Sequence, residues 1–170
     1  MKTIKFFTIL SLFAFAFTSC DEIDELTEVT VNADESVDIT TTVPENSTNF
    51  SQTATISVDD EDVRDNLDRI ESVTINSLTY QFINVSGNED AVISGTISFA
   101  GGSVTFTDVN PTTAQGQTFT ISDTTAINAF ATAIRNGASV TVTLDGTAEN
   151  APVTFTVRVS ADMTIVVDVI

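Results

Sequence analysis

From residue 28 onward, apolar and polar positions alternate with a period of two. Val140, Val142 and Leu144 alternate with Thr141 and Thr143. Val153, Phe155, Val157 and Val159 alternate with Thr154, Thr156 and Arg158, and Met163, Ile165, Val167 and Val169 continue the pattern. Such alternation marks strands with one face on a core and the other in water. The residue types, Val, Ile, Phe and Thr, favour a pleated surface. The pattern predicts ten strands, near 28–32, 36–43, 53–58, 72–84, 91–99, 103–108, 117–122, 139–145, 152–160 and 163–169. Between 72 and 84 the phase changes: Val73 and Ile75 share one parity, and Leu78, Tyr80 and Phe82 the other. A bulge near Asn76-Ser77 would return both sets to the core. Gly101-Gly102 predicts a tight hairpin, and Ser160-Ala161-Asp162 a turn.

Two segments carry a helical period instead. Val63, Leu67 and Ile70 are spaced i, i+4, i+7 behind Asp59 and Asp60 as cap candidates. Ile127, Phe130, Ala131 and Ile134 follow Asp123, and Asn136-Gly137 predicts a left-handed C-terminal cap. The frame Thr55-Ile56-Ser57, helix, Ser72-Val73-Thr74-Ile75 recurs as Thr120-Ile121-Ser122, helix, Ser139-Val140-Thr141-Val142. This is either a weak internal repeat or common strand text. Each helix is expected to lid one end of the β core. The fold expected is all-β: a single domain over 28–170, an Ig-like antiparallel β-sandwich of about ten strands with two short helices.

The first 27 residues follow another pattern. Lys2 and Lys5 form a basic head, Phe6 to Phe17 is a nearly unbroken apolar run, and Thr18-Ser19 precede Cys20, the only cysteine. The run is too short for a spanning helix, which needs about 20 apolar residues, and fits the core of a secretion signal. The series resembles a bacterial lipoprotein signal with its lipobox, although Phe17 stands where that pattern most often has Leu. The resemblance implies cleavage of 1–19 and acylation of Cys20 as the first mature residue, with the membrane reached through the lipid. Residues 20–27 then form a tether in which Asp21, Glu22, Asp24 and Glu25 crowd behind the cysteine. That acidic start resembles the export signal of surface lipoproteins of Bacteroidota, which implies an outer-membrane, surface-exposed address. Under the sorting logic of enterobacteria, Asp21 would favour the inner membrane.

Cleavage would take 19 residues from 170 and leave 151, a size suited to one domain. The whole chain carries a formal charge of −18, and loss of both lysines would bring it to −20. Four arginines, Arg64, Arg69, Arg135 and Arg158, would face 24 acids. Such a surface repels phosphate backbones and argues against nucleic-acid partners. With Cys20 acylated, no disulfide can staple the fold, so packing must hold it.

Histidine is absent, which removes the usual general base, the Ser-His-Asp arrangement and the commonest zinc ligand. Only paired carboxylates could run hydrolysis. Trp is absent and Tyr80, the single tyrosine, sits in phase with core residues. No enzyme and no cofactor is therefore expected. The densest acidic cluster is Asp59, Asp60, Glu61 and Asp62, followed by Asp65 and Asp68. Oxygen ligands at this density are candidates for calcium, but the EF-hand loop pattern is missing and a helix N-terminus attracts the same residues. Thr-x-Thr recurs at 105–107, 118–120, 141–143 and 154–156, as on water-ordering ice-binding faces, yet without a constant repeat length. Asp123-Thr124-Thr125 resembles the short O-glycosylation motif of Bacteroidota, which implies Thr124 as acceptor; capping by Asp123 explains the same residues. Asn46, Asn49 and Asn84 lie in Asn-x-Ser/Thr sequons. The reading favoured is a non-catalytic envelope lipoprotein that binds an unknown protein or glycan or serves as an accessory subunit. The alternatives are a calcium-dependent module and a carboxylate hydrolase.

Overall fold

The computed structural model describes residues 28–169; the leader, Cys20 and the tether lie outside the described residues. Two four-stranded antiparallel sheets pack face to face as a β-sandwich. The first has the order β1-β8-β3-β6, with β1 at Glu28–Val43, β3 at Ile70–Gly87, β6 at Thr118–Thr120 and β8 at Val153–Asp168. The second has the order β2-β7-β4-β5, with β2 at Asn49–Ser57, β4 at Val92–Phe99, β5 at Gly102–Val109 and β7 at Ser139–Glu149.

The described strands number eight, because two pairs of predicted strands are continuous. β1 joins 28–32 to 36–43, and β8 joins 152–160 to 163–169. The two pair with each other from Glu28↔Asp168 to Val43↔Val153 without a shift. Ser160-Ala161-Asp162 reads as a turn by composition, yet the alternation never resets. Val157, Val159, Ala161, Met163, Ile165 and Val167 keep one parity and are all fully buried. The pairing with β1 runs straight through the segment, with Ser36 opposite Ser160, Glu35 opposite Ala161 and Asp34 opposite Asp162.

β3 departs from β8 at three places, one of them between Ile75 and Ser77. The bulge expected at Asn76 is present. It places Val73 and Ile75 against the same core as the buried Leu78, Tyr80 and Phe82. The β4–β5 hairpin is also present, but its two-residue turn is Ala100-Gly101, with φ of 43° and 91° and Phe99 opposite Gly102. Positive φ at both positions matches the right-handed twist of the strands. Gly102 already belongs to β5 and is needed for another reason: a Cβ there would lie 2.7 Å from Ala126 Cα.

Aromatic rings fill the space between the sheets. Phe50 meets Phe155 edge to face at 5.4 Å, Phe82 meets Phe106 likewise at 5.4 Å, and Tyr80 stacks on Phe119 at 5.0 Å. Room for two of these rings comes from a glycine pair. Gly95 and Gly146 face each other across β4 and β7. A Cβ on Gly146 would stand 2.5 Å from the Phe50 ring, and one on Gly95 would stand 2.8 Å from the Phe106 ring.

The helices differ from expectation in number and extent. α1 spans only Glu61–Asp65 and a separate 3₁₀ turn spans Leu67–Arg69. Asn66 leaves the helical conformation, with φ of −127°, and its Nδ2 turns back to donate to Asp62 O at 3.0 Å. Leu67 is rotated off the core and stands 39% exposed, so only Val63 and Ile70 of the predicted stripe are buried. A short helix that the periodicity does not reveal, α2 at Pro111–Ala114, is started by Asn110, whose side chain accepts from Thr113 N. α3 spans Thr124–Gly137 and buries Ala126, Phe130 and Ile134. Its left-handed cap is Ala138, φ 49°, rather than Gly137. The reason lies in the next strand: the Ala138 carbonyl accepts from Val58 N at 2.8 Å, and Ser139 pairs with Ser57. α1 and α3 both connect one sheet to the other and lie at the same end of the sandwich, beside the 3₁₀ turn and the start of β3.

Candidate binding surfaces

The acidic cluster at α1 is spread out by the local chain. Asp60 takes the N-cap position, its Oδ1 accepting from Asp62 N at 3.0 Å and Val63 N at 3.3 Å. Asp59 pairs with Arg64. Glu61 and Asp62 occupy the exposed first turn, where negative charge meets the positive end of the helix. Among the described residues no three acidic groups converge in a geometry fit for a metal ion. In this geometry Asp60 is a cap, Asp59 an ion-pair partner, and Glu61 and Asp62 first-turn charges.

Asp123 is engaged in the same way. Its carboxylate accepts from Ala126 N at 2.9 Å and caps α3. Thr124 and Thr125 follow it at the helix start and are exposed. Tyr80 belongs to the aromatic core, and burial raises its pKa above the usual tyrosine value.

The outer face of the first sheet is a lattice of bonded polar pairs. Asp38 and Arg158 stand opposite each other in β1 and β8, and Gln81 of β3 lies opposite Arg158 on the other side. Arg158 Nε donates to Asp38 Oδ1 at 2.7 Å and Nη2 to Oδ2 at 2.8 Å. This hydrogen bonding holds the Asp38 carboxyl below the usual carboxylate range. Gln81 Nε2 donates to Thr118 Oγ1 at 2.6 Å. Thr40 and Thr156 share a hydrogen bond at 2.9 Å, Thr154 donates to Thr42 at 3.1 Å, and Thr164 donates to Asn32 at 3.1 Å. Asn76, the bulge residue, donates to Asp162 at 3.1 Å and to Thr164 at 3.2 Å.

The second sheet presents short polar side chains in rows: the hydroxyls of Thr53, Thr143, Ser98 and Ser103 form one, and Ser51, Thr96 and Thr105 with the carboxylate of Asp145 another. The Thr-x-Thr motifs are thus divided. Those at 105–107 and 141–143 belong to the second sheet, and those at 118–120 and 154–156 to the first. No single plane collects them.

At the end opposite α1 and α3, three asparagines bind loops to one another. Asn88 Nδ2 donates to Asn150 O at 2.9 Å, Asn150 Nδ2 to Asp90 O at 3.0 Å, and Asn110 Nδ2 to Glu89 O at 2.8 Å. The acceptors of these side-chain amides lie in other loops, so the links leave no local signal in the sequence. Comparison with protein-family models, curated proteins and solved structures finds no match to the chain.

Proposed function

We propose that the chain is a non-catalytic lipoprotein of the bacterial cell envelope, anchored through acylated Cys20 and displayed at the outer surface as a binding or accessory module. The observation that carries the reading is the series Lys2, Lys5, Phe6 to Phe17 and Thr18-Ser19-Cys20. The folded part supports it by its position. β1 begins at Glu28, so eight residues, 20–27, separate the anchor from the first strand. Such a tether spans at most about 29 Å and keeps the sandwich near the membrane. The mature charge keeps the domain off anionic headgroups, so contact with the bilayer runs through the lipid. The two-sheet antiparallel sandwich is the Ig-like scaffold of this proposal, with no cysteine among the described residues to staple it. Thr124, exposed at the start of α3, is the acceptor if the module is O-glycosylated.

Surface display is tested by shaving intact cells with protease and comparing with lysed cells. Loss of the domain from intact cells is expected. Full protection in intact cells, with digestion only after lysis, would contradict surface display.

A further inference from the structure

We infer that the open edge of β1 is a strand-addition site for an extended, basic segment of a partner protein. Among the described residues, the sheet order leaves β1 as an edge strand, hydrogen-bonded to β8 on one side only. It is 16 residues long, roughly 50 Å of regular strand. In an antiparallel ladder every second residue turns its N–H and C=O away from the neighbour, so this edge offers unpaired donors and acceptors along its length.

Proteins blunt such edges with short strands, bulges, proline or lysine. The other edge of this sheet, β6, is three residues long. β5, an edge of the second sheet, is broken by a register shift beside Asp108, whose φ is 53°. β1 has no proline, glycine or lysine, and its pairing with β8 never shifts. Its only guards are acids: Glu28, Asp34, Glu35 and Asp38.

These acids say which strand fits. Asp38 is neutralised by Arg158. Asp34 instead stands directly opposite Asp162, another acid, whose side-chain partner is the neutral amide of Asn76. Like charges directly opposite are destabilising, and a cationic side chain beside Asp34 on an added strand would supply the missing counter-charge. Glu35, half-buried on the inner face of β1, stands opposite Ala161 and gains a partner in the same way.

A second copy fits badly. Antiparallel pairing of two β1 edges keeps like faces together, and the central registers set Asp34 against Asp34, Glu35 against Glu35, or Asp34 against Asp38. The chain's own segment 21–25 carries four further acids and meets the same repulsion. This inference deepens the binding-module reading and is independent of the lipid anchor. Failure of the experiment below would remove the edge site and leave Cys20 untouched, whereas an unacylated Cys20 would leave the edge site standing.

The probe is a synthetic 12-residue peptide of alternating threonine and lysine, titrated at low ionic strength into the mature full-length protein carrying Cys20→Ser. The readout is residue-resolved amide hydrogen exchange. The expected result is at least tenfold slower exchange at every second amide of β1, the ones facing away from β8. Asp34→Lys/Glu35→Lys should weaken binding at least tenfold, and a threonine–glutamate peptide should give no protection. Asp34→Asn/Glu35→Gln, which removes the charges while keeping the side-chain shapes, guards against misfolding and should weaken binding in the same direction. Diffuse attraction to 24 acids would survive loss of two of them, so unchanged affinity in both variants would overturn the proposal. So would no β1 protection at millimolar peptide. Protection of the outward amides before peptide is added, by a dimer or by residues 20–27, would also overturn it.

Discussion

Arg158 grips Asp38 with two hydrogen bonds, 2.7 and 2.8 Å long, across the middle of the β1–β8 pair. The grip lowers the Asp38 pKa, chiefly through the hydrogen bonding and then through the positive charge. Because the folded value lies below the unfolded one, the pair stabilises the native state above pH of about 4 and loses its effect as pH falls through the folded value. Both side chains are about two-fifths exposed, 43% and 41%, so solvent screens the pair and the effect is small. Asp38→Asn should lower the urea midpoint slightly at pH 7, by less at pH 2 than at pH 7, and by less in high salt than in low. An undiminished difference at pH 2 would show that Asp38 acts through packing rather than charge.

Thr41 faces the core on β1, 1% exposed, and its hydroxyl has no hydrogen-bond partner. A buried unpartnered hydroxyl costs free energy that an apolar group of the same shape does not. Thr41→Val should therefore raise stability by about 1 kcal/mol in a urea melt. A loss of that size would mean that the hydroxyl is bonded.

Gly146 and Gly137 should respond in opposite directions to alanine. At Gly146 the new Cβ would stand 2.3 Å from Ser94 O and 2.5 Å from the Phe50 ring. Overpacking of this kind costs about 1–3 kcal/mol. Gly137 ends α3 with nothing within 4 Å of the added carbon. Gly137→Ala should stabilise by about 0.5–1 kcal/mol through helix propensity. Thermal unfolding of the two single variants checks both signs.

The two caps are testable in the same assay. Asp60→Ala and Asp123→Ala each remove a carboxylate that accepts from helix N–H groups and should cost about 1 kcal/mol. If Asp60 instead held calcium, melting of the wild type would rise with millimolar calcium, and the rise would vanish in Asp60→Ala.

Legibility followed the range of the interactions. Phe155, Val157 and Val159 announce β8, the phase change at Asn76 announces its bulge, and Asp60 and Asp123 announce their helices, because each signal lies within a few residues. The continuity of β8 through Ser160-Ala161-Asp162 was hidden because Ser160 and Asp162 suit a turn and the outer face of a strand equally, and Ala161, buried here, is small enough for either. Leu67 misled because one asparagine, Asn66, ends the helix that its spacing implies. The glycine pair Gly95–Gly146, the asparagine links between loops and the facing acids Asp34 and Asp162 depend on strand partners far apart in sequence. The surfaces they make become visible only once the sheets are assembled.

The central claim is an anchor at Cys20, and the intact mass of the mature protein tests it most directly. Expressed in a lipoprotein-processing bacterium, the chain should yield a species that begins at Cys20 and carries the added mass of fatty acyl groups. Cys20→Ala should yield only uncleaved, unacylated chain. A mature wild-type protein of bare polypeptide mass, or cleavage at any other residue, would contradict the account.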